Sequence, residues 1–187
     1  MPPRNHQNPL FQMSNAKSNR RRSRPEQSLL RQDSRPIIFL QNAWFLPETV
    51  DYLKNKSEKV FEYLWRYALA KSRSGKRLSL MVGDLSEILI ANASPEVGCC
   101  SSSRFPADLD HISKTLQKHK PTQVISCGEV ASQAVRGLWT GDLLEVPHPA
   151  SRVLTNELYL LAGSFVGRPG RWRFEQLRGS VKRQKVS

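Results

Sequence analysis

Cysteine is scarce in this chain, and the three present do not fit that residue's usual structural uses. Cys99, Cys100 and Cys127 are an odd number in 187 residues, which argues against a disulfide framework and for a reducing compartment. One adjacent pair and one distant residue lack the spacing of a zinc site, and three cannot supply the four ligands of an iron–sulfur cluster. No metal and no cofactor is therefore expected. Long apolar runs are also missing: no stretch approaches the roughly 20 residues that a membrane span requires. The charged amino terminus has no apolar run of the kind that opens an export signal. A soluble chain with no membrane partner is the expectation. Phosphate-cradling glycine motifs of the Walker and dinucleotide types are absent too, which ranks a simple nucleotide-binding fold last.

Acid is what the two ends lack. Residues 1–35 hold eight Lys/Arg against Glu26 and Asp33, and residues 167–187 hold seven against Glu175. Almost none of the formal charge of +13 remains for the residues between them. Basic segments of this kind neutralise phosphates and gain free energy by releasing condensed counterions, so the expected partner is a polyanion, nucleic acid first. Residues 1–35 are rich in Asn, Gln, Ser, Arg and Pro, too polar to offset the entropy of ordering, and are expected to form a flexible arm. Leu29-Leu30 is a place where a short helix can start. Residues 167–187 are expected to form a basic tail.

The middle of the chain, residues 36–166, reads as one domain, since the length allows one core but not two. Ile37-Ile38-Phe39-Leu40 is a β-branched and aromatic run that predicts a buried strand, with Gln41-Asn42-Ala43-Trp44 as the loop after it. Val50 to Lys71 places apolar residues at helical spacing and predicts one or two helices, with Trp65 facing the core. Ser74-Gly75 breaks that pattern before a segment of ambiguous type, Lys76 to Val82. Glu87 to Asn92, Val124 to Gly128 and Leu143 to Val146 predict three more strands. Helices are predicted at Asp108 to His119, Glu129 to Leu138 and Asn156 to Val166. Alternation of strand and helix predicts an α/β fold of three layers, αβα, around a central, mostly parallel four-stranded sheet. In such a sheet the polar strand ends at Gln41-Asn42, Asn92 and His148 can converge on one cleft.

In order and approximate spacing, these segments resemble the uracil-DNA glycosylase superfamily over about residues 36–166. The first family motif follows strand one and reads Gly-Gln-Asp-Pro-Tyr or, in other branches, Gly-x-Asn-Pro-Gly; here it is Leu40-Gln41-Asn42-Ala43-Trp44. The second is the family's His-Pro-Ser loop, matched by Pro147-His148-Pro149-Ala150-Ser151-Arg152. The resemblance implies a monofunctional glycosylase acting on uracil or another modified pyrimidine, including a bulky modified cytosine. It makes Asn42 the water-orienting residue and His148 the donor that stabilises charge on the departing base. An amide can orient water but cannot accept its proton as a carboxylate does, so slower hydrolysis is expected. Gln41, Trp44 or Phe45, and Asn92 would receive the base, with Asn92 reading its edge or else serving as a turn residue. Ser151 and Arg152 would contact DNA, Arg152 as the wedge that fills the vacated stack. A monomer is expected, cytoplasmic and nucleoid-associated in a prokaryote or nuclear in a eukaryote. The alternatives are a DNA-binding protein that keeps the fold without the chemistry, and a domain that binds a small anion at its strand ends.

Overall fold

The computed structural model describes residues 35–176, apart from Ser101 and Val153. The expected basic arm through Ser34, the helix start at Leu29-Leu30 and the tail beyond Gln176 lie outside the described residues. The elements in chain order are β1 (Ile37–Leu40), β2 (Ala43–Trp44), α1 (Pro47–Leu53), α2 (Glu58–Lys71), α3 (Arg73–Val82), β3 (Leu89–Asn92), β4 (Val97–Gly98), α4 (Leu109–His119), β5 (Gln123–Cys127), α5 (Glu129–Leu138), β6 (Asp142–Val146), α6 (Asn156–Gly163) and β7 (Arg171–Arg173). A short 3-10 turn, Leu85–Glu87, leads into β3.

The main sheet is parallel throughout, in the order β3-β1-β5-β6-β7. It has five strands rather than the four expected. The fifth, β7, pairs Leu143 with Arg171 and Glu145 with Arg173, so the expected basic tail begins inside the sheet. One of its cations is spent there: Arg173 faces Glu145 at 3.7 Å, and Arg136 of the helix α5 also holds that carboxylate at 2.8 Å.

Side chains alternate across the pleat, so each strand feeds two cores. Ile38, Leu40, Ile125, Cys127, Leu144 and Val146 pack with Leu69, Leu78, Met81 and Tyr159 from α2, α3 and α6. On the other face Ile37, Phe39, Val124 and Leu143 pack with Ile112, Leu116, Ala131 and Val135 from α4 and α5. Three αβα layers result. Each fully buried aliphatic contributes roughly 1.5–3 kcal/mol relative to exposure, which is why runs with no polar alternation become central strands.

The helical region from Pro47 to Val82 resolves into three helices. Its second break is at Ser72, whose hydroxyl accepts from Gly75 N at 3.0 Å and caps α3. Gly75 is inside α3, where an added Cβ would lie 1.9 Å from the Leu69 carbonyl oxygen; the glycine permits the tight packing of α3 on α2 rather than ending a helix. No helix among the described residues is long and apolar enough to cross a membrane.

Candidate functional site

The strand order reverses beside β1: the chain leaves β1 for β3 on one side and returns to β5 on the other. Loops at the carboxyl ends of strands part at such a point and leave a crevice. There, a cavity of about 500 Å³ meets a second of about 440 Å³, and both are lined by Gln41, Arg104, His148 and Ala150. Asn42, Trp44 and Phe45 line the larger lobe, while Gly128, Glu129 and Ser151 line the smaller. Residues far apart in sequence thus meet on one cleft.

His148 sits where the two lobes join. Its Nδ1 accepts a hydrogen bond from Ala150 N at 3.2 Å, which leaves Nε2 as the protonated nitrogen and the donor. Burial, followed by the nearby charge of Arg104, pushes its pKa below the ordinary 6.5. The imidazole is therefore neutral at pH 7. Asn42, half-buried, spends its amide nitrogen on the Ala43 carbonyl at 3.0 Å. Its side-chain carbonyl has no hydrogen-bond donor among the described residues and can accept one from water or a ligand.

The other predicted residues divide. Gln41 donates to the Phe105 carbonyl at 3.2 Å, which ties the β1 loop to the rim residues around Arg104. Trp44 is 47% exposed on the wall of the larger lobe, a ring available for stacking, whereas Phe45 is buried edge-on against Phe61. Trp65 is buried and also walls the larger lobe. Asn92 ends β3 in register with Leu40 but does not line either lobe; its Oδ1 is buried without a hydrogen-bond partner. Ser151 lines the smaller lobe, and Arg152 is exposed and lines neither lobe.

Further residues that the sequence did not single out as site residues shape this cleft. Arg77 of α3 is buried, and its guanidinium donates to the carbonyls of Pro149 (2.8 Å), Ser151 and Leu154 and to Asn156 Oδ1 (3.3 Å). It has no carboxylate partner among the described residues, so its charge is spent on the His148 loop. Tyr159 of α6 donates to the Pro147 and His148 carbonyls, both at 3.2 Å. Burial, chiefly, pushes its phenol up to about 12, so it remains a donor. Arg104, exposed at the junction of the lobes, and Arg73 on the larger lobe are cations at the mouth. No carboxylate lines the larger lobe among the described residues. Gly128 has φ of +91°, and a Cβ there would lie 3.2 Å from His148 Cβ, so the glycine admits the imidazole beside β5.

No group of three or more His, Cys, Asp or Glu side chains able to hold a metal occurs among the described residues. Comparison with protein-family models, with curated proteins and with solved structures finds no match to this chain.

Proposed function

We propose that the chain is a monofunctional DNA glycosylase that hydrolyses the N-glycosidic bond of a flipped-out uracil or other modified pyrimidine and leaves an abasic site. The observation that carries this reading is His148: a neutral imidazole whose backbone partner on Nδ1 reserves Nε2–H for the cleft. When the bond between the sugar and the base breaks, its electron pair moves onto the base, and charge gathers on a ring carbonyl. A donor aimed at that oxygen acts where charge develops in the transition state. Asn42 holds a water through its side-chain carbonyl; the water adds to the sugar carbon and loses its proton to solvent, while the departing base takes up a proton. Because an amide is not a base, bond breaking runs ahead of water attack.

The surroundings support the same reading. Trp44 offers a face to an extruded base, and a base–aromatic stack contributes roughly 1–3 kcal/mol. Arg73 and Arg104 suit the phosphates of a nucleotide entering a cleft whose larger lobe is lined by no acid among the described residues. Arg152 is exposed, as a side chain that wedges into a duplex must be. A lobe of about 500 Å³ also leaves room for a substituent on the pyrimidine. Among the described residues no lysine lines either lobe, so none there offers the nucleophile of a Schiff-base lyase step.

The test is a substrate panel. Purified protein incubated with oligonucleotides bearing uracil, hydroxymethylated cytosine or glucosylated cytosine is expected to leave alkali-labile sites on at least one. Binding to DNA with no base released from any of them would instead favour a non-catalytic member of the same fold.

A further inference from the structure

The helix that walls the cavity has a second face. Trp65, Ala68 and Leu69 of α2 line the larger lobe. On the opposite side, Lys59, Tyr63, Tyr67 and Lys71 recur every fourth residue and form one stripe, because residues four apart lie above one another on a helix. The tyrosines are strongly exposed, Tyr63 by 69% and Tyr67 by 59%. Lys71 Nζ stands 5.7 Å from the Tyr67 ring centre, and Lys56 Nζ stands 4.6 Å from that of Tyr52 just before the helix. Neither Lys59 nor Lys71 is paired with a carboxylate among the described residues. By helical spacing both acids of α2, Glu58 and Glu62, fall off the stripe, and Glu62 is paired with Arg66 at 3.1 Å. Two residues beyond Lys71, Arg73 lines the cavity mouth.

We propose that this stripe is a track for single-stranded nucleic acid leading to the cleft. An unpaired base offers a flat face to a tyrosine, and its phosphate offers a charge to the lysine one turn away. A duplex keeps its bases inside the stack, so rings this exposed have nothing to stack on there. Two rings set between two cations, with Arg73 of the cavity mouth two residues beyond the last, suit a strand whose bases are already free. This deepens the glycosylase reading by naming the strand form of its substrate, and for that purpose it rests on that reading. The binding it describes is measured independently.

Two labelled probes with the same phosphates separate stacking from charge: oligothymidylate and an equally long oligomer of abasic sites. In fluorescence anisotropy on the full chain, Tyr63→Ser with Tyr67→Ser is expected to weaken oligothymidylate binding about tenfold and to leave the abasic probe unchanged. Tyr63→Phe with Tyr67→Phe should keep wild-type affinity, since the ring faces remain. If the double serine variant does not fold, as checked by circular dichroism, each single variant should still weaken oligothymidylate alone. Unchanged oligothymidylate affinity would overturn the track, as would equal losses on both probes. So would a loss confined to polyglutamate, which would mark the face as a dock for an acidic protein. Failure of the substrate panel with this result intact would strike the chemistry alone; normal base release with oligothymidylate unaffected would strike the track alone.

Discussion

Two loops bring the proposed chemistry into one cleft, and they are held in different ways. The loop after β1, which carries Asn42, is secured by backbone. Ser94 N donates to Gln41 O at 2.9 Å, Phe45 N donates to Gly98 O at 2.9 Å, and β2 pairs with β4 through Ala43 with Val97 and Trp44 with Gly98. The loop after β6, which carries His148, is secured mainly by two side chains from other helices, Arg77 and Tyr159. Backbone pairing survives most substitutions because every residue type except proline supplies both donor and acceptor. A loop hung on a guanidinium depends on one position far away in sequence.

The largest expected effect follows from that dependence. Arg77→Met leaves the carbonyls of Pro149, Ser151 and Leu154 without their donor, which should cost about 3 kcal/mol in urea unfolding and lower base release about a hundredfold. A loss no larger than that of an exposed substitution would mean that the His148 loop holds itself. On the β1 side, the equivalent damage must come through backbone packing. An added Cβ at Gly98 would meet Ser103 Cβ at 2.3 Å, so Gly98→Ala should cost about 2 kcal/mol. Adding Ser103→Gly should return most of it in the same unfolding measurement.

A comparable loss of about 2 kcal/mol is expected of Gly128→Ala, which puts a side chain on backbone at φ +91° and ψ 162°, a region all but reserved for glycine, and crowds His148. The smallest effect is the pH dependence of stability. The folded chain holds the His148 pKa below 6.5, through burial first and Arg104 second, so the unfolded chain takes up the proton more readily. The resulting stability is fully present above pH 6.5 and is lost as the pH falls through the lower folded value. His148→Gln should flatten this part of a plot of melting temperature against pH, and an unchanged slope would mean that another group titrates there.

The same contrast explains what was legible in the sequence. Ile37 to Leu40 and Leu143 to Val146 read as strands because both faces of the sheet are covered and every position is apolar or shielded. His148 and Asn42 were legible because each follows such a run within a few residues. The strand at Arg171–Arg173 was not, since an edge strand of Arg-Trp-Arg, mostly exposed, has no buried pattern to betray it. Nor were β2 and β4, whose two residues each are too few for any periodicity. The break at Ser72 was misplaced to Ser74-Gly75 because glycine, in isolation, marks turns as readily as close helix contacts. Arg77 looked like one more basic residue on a helix; its partners lie 72 to 79 positions later, and only folding brings them to it.

The most direct test of the central claim is the single-turnover rate of base release with His148 altered. If a neutral imidazole donates to the departing base, His148→Ala should slow release by about 10²–10³ while DNA affinity stays within a factor of about two. Full activity of His148→Ala, alone or together with Asn42→Ala, on a substrate that the wild-type chain cleaves would contradict the account.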